Sequence, residues 1–266
     1  MNTHICTRKR VERVLGEEGF RPLRQLGQNF LIEPSLASLI VDALQAPAGA
    51  DVIEIGPGLG ALTVFALQKG WRLICLEKDR GFARYLTKTF SEEKNFKLIE
   101  VDALDDLQHA EHAHVEFILG NLPYNISTPL IMAWSLWPMP PKEVVLTLQK
   151  ELVERLMAKP RTKAYGAVTV FVQSLYQIEL LRSLPSHVFY PKPKVDSAVV
   201  RLTLKKMEWL AGQKEREEFY SFLRRGFQQR RKMLRSVFPV GSTARAEELN
   251  LQEWKELYED VRKRTV

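Results

Sequence analysis

The chain has 266 residues, 45% of them hydrophobic and 27% charged, with a formal net charge of +7. That profile suits one large domain, or a domain plus a smaller one, with ample core, and it excludes a disordered or fibrous chain. No apolar run approaches the ~20 residues of a membrane span, and the N-terminal stretch lacks the apolar segment of a signal peptide.

In chain order, "SLASLIVDALQ" has helical apolar spacing, with Ser35 after Pro34 as its expected N-cap. "DVIEIG" is a strand, "GALTVFALQKG" a helix ending at Gly70, "WRLICLE" a second strand and "RGFARYLTKTF" the next helix. "KLIEVD" and "VEFILGN" are the third and fourth strands, "TPLIMAWSL" is helical, and "EVVLTLQ" is a fifth strand. "KELVERLMA" is another helix, followed by the Lys/Arg/Pro loop "KPRTKAYG" and later by a Pro-rich turn and long strand in "YPKPKVDSAVVRLTLKK". Strands alternating with helices predict an α/β fold, a mainly parallel sheet covered on both faces. Beyond that strand the pattern is helical and basic, so the expected division is 1–206 for an α/β domain and 207–266 for a small all-α domain.

The two cysteines, Cys6 and Cys75, form neither a disulfide framework nor a metal spacing. Cys75 reads as a small core residue, and a reducing cytoplasm is the expected compartment. The charge is unevenly spread. Residues 201–266 hold 16 Lys and Arg against 10 Asp and Glu, while residues 1–200 hold 23 against 22. A basic end is the footprint of a nucleic-acid partner or simply a solvated surface, and charge alone does not separate the two.

"VIEIGPGLGALT" places Gly56, Gly58 and Gly60 between a strand and a helix. Glycines there allow positive φ and close approach of a ligand to the backbone, and the helix start favours an anionic group. Glu77 ends the next strand, where a carboxylate can hold two ribose hydroxyls, and Asp102 closes the third strand on the same edge. On this motif alone the choice between a dinucleotide and S-adenosylmethionine stays open.

"FILGNLPYNISTP" ends the fourth strand in a stiff polar corner, since Pro123 has a fixed φ and no N–H. The chemistry it suits is activation of an exocyclic amine. The Asn121 side-chain oxygen and the Leu122 carbonyl would accept the two N–H bonds of an adenine N6 and free its lone pair, and Tyr124 would stack on the base. A nearby methyl sulfonium would be attacked in line, with positioning supplying much of the rate.

Seven motifs then fall in one family's order: "LGQNFL", "EIGPGLGALT", "GNLPYNISTPL", "LQKELVERL", "KAYG", "FYPKPKVDSAVVRL" and "FQQRRKMLR". On these the chain resembles the small-subunit ribosomal RNA adenine N6,N6-dimethyltransferases, the KsgA family. The resemblance implies a Rossmann-like S-adenosylmethionine-dependent methyltransferase with a small helical rRNA-binding C-terminal domain. It implies dimethylation of two adjacent adenosines near the 3′ end of small-subunit rRNA, in an assembling 30S particle, by a cytoplasmic monomer with no metal and no membrane contact. The family's cofactor positions fall on Asn29, Leu31, Gly56, Glu77, Asp102 and Asn121. Asn121, Leu122 and Tyr124 form the target-base corner, and Phe189 would stack on the other face of a flipped adenine. "IEPS" stands where many relatives have an aspartate after "FL". Two rivals are an Erm-type large-subunit methyltransferase, whose corner more often reads Asn-Ile-Pro-Tyr or Phe, and a non-catalytic RNA-binding or transcription factor on the same fold, which the intact glycine loop, Glu77 and Asn121 oppose.

Overall fold

Short β-branched runs bounded by Gly, Asp or Asn become the strands. A computed structural model describes residues 6–20, 28–108, 112–123, 125–206, 209–230, 232–238 and 242–265. The strands are β1 (Phe30–Leu31), β2 (Asp51–Ile55), β3 (Arg72–Glu77), β4 (Phe96–Glu100), β5 (Phe117–Asn121), β6 (Glu143–Gln149), β7 (Tyr176–Leu184), β8 (Phe189–Tyr190) and β9 (Ser197–Leu204). Seven of them form one sheet in the order β4-β3-β2-β5-β6-β9-β7. Neighbouring strands from β4 to β6 run parallel, and β9 lies antiparallel to β6 with Thr147 opposite Val199. Counted from β2, the order is that of a doubly wound nucleotide-binding sheet, with the last strand slipped in beside the fifth. The parallel strands carry apolar side chains on both faces, as a sheet covered on both sides requires. Val52, Ile53, Ile118, Leu119, Val144 and Val145 are fully buried.

The chain divides into two compact units, Met1–Lys150 with Glu179–Thr203, and Glu151–Ile178 with Leu204–Val266. The first contains the helices α1 (Arg8–Glu17), α2 (Pro34–Asp42), α3 (Thr63–Gln68), α4 (Arg80–Thr89), α5 (Ala103–Gln108) and α6 (Ser127–Ser135). Helix α1, absent from the sequence expectation, buries Val11, Val14 and Leu15 at helical spacing. Helix α2 begins two residues earlier than an N-cap at Ser35 would place it, with Glu33 in the N-cap position. Pro34 occupies the first turn, where its missing N–H costs nothing, and Ser35 does not cap the helix; its hydroxyl donates to Glu33 Oε1 at 3.2 Å.

The second unit holds α7 (Lys150–Leu156), α8 (Ala167–Leu175), α9 (Gln213–Gln228) and α10 (Leu251–Thr265). Its boundary differs from the 206/207 division because α8 packs on α9, with Phe171 and Tyr220 rings 5.0 Å apart. Residues 151–175 therefore group with the C-terminal helices, and the division between the units falls inside β7. Helix α9 needs Gly226. A Cβ there would meet the Trp254 ring of α10 at 2.6 Å.

Candidate active site

Strand order reverses about β2, and in such sheets ligands bind at the carboxyl ends of the strands flanking the reversal. The chain leaves β2 through Gly56, Gly58 and Gly60, all with positive φ. Gly58 is required twice over. Its φ is +59°, and a Cβ would lie 3.2 Å from the Phe30 ring. Its N–H donates to Glu77 Oε2 at 3.1 Å, drawing the loop onto the end of β3. Residues 58–62 form turns and α3 starts only at Thr63, so the helix begins later than the sequence spacing suggests.

Glu77 is 6% exposed, and its Oε1 accepts from the Asp79 N–H at 2.8 Å. Burial pushes its carboxyl up to about 7, against the pull of the Asp79 and Gly58 N–H groups. Near neutrality this group is poised between its two protonation states, and hydroxyl donors from a ligand would favour the charged one. Glu54, which sequence reasoning passed over as a site residue, lines the same cavity from within β2. It accepts from Thr63 Oγ1 at 2.8 Å, and burial raises it too to about 7. The available signal was an acid inside the strand "DVIEI", next to its carboxyl end, where both faces of the sheet are covered.

Asp102 lies two residues beyond β4. Burial would raise its carboxyl, but hydrogen bonds from Lys78 Nζ at 2.5 Å and the Leu104 N–H at 2.9 Å outweigh that, and it sits below its ordinary value. Asn121 closes β5. Its Nδ2 donates to the Asn29 carbonyl at 3.0 Å, which leaves Oδ1 as the acceptor end of the side chain. Asn29 is placed by β1, which pairs antiparallel with β8, Phe30 opposite Tyr190 and Leu31 opposite Phe189.

Asn29, Leu31, Gly56, Glu77, Asp102 and Asn121 all line one cavity. Lys78, Pro123, Ile126 and, from the N-terminal segment, Cys6 and Val11 also face it. Leu122 is buried, with its N–H donating to the Thr147 carbonyl at 3.2 Å, so only its backbone carbonyl is a candidate for the corner's chemistry. Tyr124 lies outside the described residues. Phe189 is placed differently from a base-stacking ring. It is 3% exposed, packed in the core of the first unit, and does not line the cavity. Among the described residues no cluster of three His, Cys, Asp or Glu is arranged to hold a metal ion.

A switch-point cavity with a glycine corner, an acid ending the second sheet strand and an amide ending the fourth defines an α/β fold of the nucleotide-binding class. A crystal structure of a dimethyladenosine transferase from Plasmodium falciparum shares that fold, with a TM-score of 0.76 and 22% identity, over 88% of this chain and 98% of that one. The family model described as ribosomal RNA adenine dimethylase matches residues 19–260, and the chain belongs to that family. A protein named ribosomal RNA small subunit methyltransferase A, from Geobacillus thermodenitrificans, is 38% identical over 240 residues, covering 88% of this chain and 82% of the relative. One named probable ribosomal RNA small subunit methyltransferase A, from Pyrobaculum aerophilum, is 40% identical over 235 residues, covering 88% and 96%. The protein is therefore a methyltransferase of the adenine dimethylase type.

Proposed function

We propose that this protein methylates N6 of two adjacent adenosines near the 3′ end of small-subunit rRNA, using S-adenosylmethionine, during assembly of the small subunit. The reading has it act in the cytoplasm as a monomer. Among the described residues no helix is long and apolar enough to cross a membrane. The observation that carries the reading is the Asn121 amide, held by the Asn29 carbonyl at the edge of a cavity that also contains Glu77 and the Gly58 corner.

The residues present fit the cofactor. Gly58 leaves room where a side chain would crowd the Phe30 ring, and its positive φ disfavours one. The buried Glu77 carboxylate suits the two hydroxyls of a ribose, and Asp102 suits an adenine amino group. Leu31 supplies an apolar wall. When bound, S-adenosylmethionine supplies an electrophilic methyl group. Asn121 Oδ1 and the Leu122 carbonyl accept the two N–H bonds of the target amine and hold its lone pair towards the cavity. No strong base is needed, because the amine becomes cationic on methylation and then sheds its proton to water. Tyr124 is proposed to stack on the base. Phe189 is buried while β1 and β8 are paired, so it can take the other face only when that pairing opens and its ring is uncovered. The second unit is proposed to hold the rRNA backbone, which supplies most of the affinity without reading sequence.

Tritiated methyl incorporation into separated, undermethylated ribosomal subunits tests the reading, with primer extension locating the product. Label at two adjacent adenosines of the small-subunit RNA is expected. Label in the large subunit instead would make the enzyme Erm-like, and no label in either would make it a binding factor.

A further inference from the structure

Outside the cavity, the second unit joins three separate stretches of chain into one basic surface. The loop 159–165, the turn after α9 and the segment 242–248 are fastened together by Arg230. Its guanidinium donates to the Thr162 carbonyl at 2.9 Å and the Lys163 carbonyl at 2.8 Å, and pairs with Glu247 at 2.5 Å. The Arg161 N–H donates to the Glu247 carbonyl at 2.7 Å, and Tyr165 Oη donates to the Leu249 carbonyl at 2.8 Å. Met233 and Arg245 form a β-bridge, which brings the third stretch beside the second.

Around this fastening Lys159, Arg161, Lys163, Lys232, Arg235 and Arg245 are exposed. Among the described residues none of the six forms an ion pair, whereas Glu247, the carboxylate at the centre, is taken by Arg230. Arg161 adds a second, independent sign. It is the one described non-glycine residue with positive φ, at +68°. A β-carbon is disfavoured in that conformation, and glycine would be easier there. The loop thus keeps a cationic side chain where the backbone favours none.

Resting on the small-subunit reading above, we propose that the loop Lys159, Arg161, Lys163 is a second limb of the rRNA contact, gripping the sugar–phosphate backbone beside Lys232, Arg235 and Arg245. Arg230, the first arginine of "QRRK", is on this account a positioning residue that sets the loop, not a phosphate ligand. Point charges on flexible stems at several separate positions suit phosphates rather than base edges.

The test uses the full chain carrying K159Q, R161G and K163Q together, with binding to undermethylated small subunits measured across a salt series. Each phosphate deprived of its cation flattens the slope of log affinity against log salt by roughly 0.7–0.9. A slope reduced by about two units, with affinity down at least tenfold at fixed low salt and a melting temperature unchanged or raised, supports the proposal. An unchanged slope overturns it. If the parent chain itself neither binds nor labels small subunits, the functional reading fails and this inference with it; a parent that labels them while the variant keeps its slope sinks only the loop. A second variant separates the two roles. Arg230→Met should expose the amides of residues 161–165 to hydrogen exchange, and should weaken binding no further when added to the triple variant. An additive loss, with the loop still protected, would make Arg230 a direct ligand and overturn its positioning role.

Discussion

In the first unit two carboxylates, Glu54 and Glu77, lie buried beside the cavity, and burial pushes both up to about 7. In the second unit Glu247 is matched with a guanidinium, and six cations around it face solvent. The difference follows from the size of what each surface is to hold. A small ligand can be enclosed, so its acceptor can be kept desolvated, held in place by a few local donors until the ligand supplies more. A polyanion cannot be enclosed, so its site is built from exposed charge on a stiff frame, and the carboxylate at its centre, Glu247, is neutralised from within by Arg230.

The comparison breaks most easily at the amide corner. Asn121→Ala should lower methyl incorporation about a hundredfold or more at saturating cofactor, the size of effect seen when one preorganised hydrogen-bonding group is lost. Small-subunit affinity should stay nearly the same, because it belongs to the other surface. Near-normal incorporation would return the corner to a structural turn.

Next in size is Glu77→Ala, which should weaken cofactor binding by about tenfold to a hundredfold, the ~1.5–3 kcal/mol of charge-assisted hydrogen bonds. Calorimetry measures it. The fold should survive with a melting temperature changed little, since removal of a buried carboxylate is offset by the Gly58 and Asp79 N–H groups losing their acceptor.

The pH dependence sharpens the same point. The Glu77 carboxyl of the free protein stands above its ordinary 4.5, at about 7. Between those values the folded chain binds more protons than the unfolded one, so this group makes stability fall as pH rises from about 4.5 to about 7. Ligand hydroxyls favour the carboxylate, so cofactor binding releases a proton in that window. Affinity should rise with pH up to about 7 and level off above it, and Glu77→Gln should flatten the profile. Titrations in buffers of different ionisation enthalpy count the proton; none released would mean the carboxylate is not the ribose acceptor.

Gly226→Ala tests the frame of the second unit. The added carbon collides with Trp254 across α9 and α10, and overpacking of this kind costs ~1–3 kcal/mol. Thermal unfolding should show the loss. The smallest effect is expected from Lys78→Met. Its pair with Asp102 is largely exposed on the lysine side, where such pairs contribute ~1 kcal/mol or less. The Asp102 carboxyl should rise towards its ordinary value, with cofactor affinity changed by a factor of about five at most.

Much of this was legible in the sequence because the sheet is parallel. Its central strands are buried on both faces and read as β-branched runs, and the residues that follow them fall on one edge by topology alone. That is why Gly56, Glu77, Asp102 and Asn121 line one cavity. The run "AVTVFVQSL" is β-branched yet helical, since packing on α9 overrides its propensity. The ribbon of β1 and β8 has two residues per strand, too few for any periodic signal. Arg230 looks like its neighbours in "QQRRK", and only the fold shows that it turns inward to bind carbonyls 67 and 68 residues away.

That ribbon also sets an order of events during synthesis. Asn29 and Leu31 belong to the first tenth or so of the chain, but β1 has no partner until Phe189 and Tyr190 exist. The parallel strands β2 to β6 can assemble beforehand, since each pairs with strands already made by the time Gln149 is added. The wall that carries the Asn29 carbonyl closes last, across a long loop whose entropy is recovered only when that contact forms. A nascent chain arrested between Gln149 and Phe189 would therefore have most of its sheet but an Asn121 amide still without the strand that orients it.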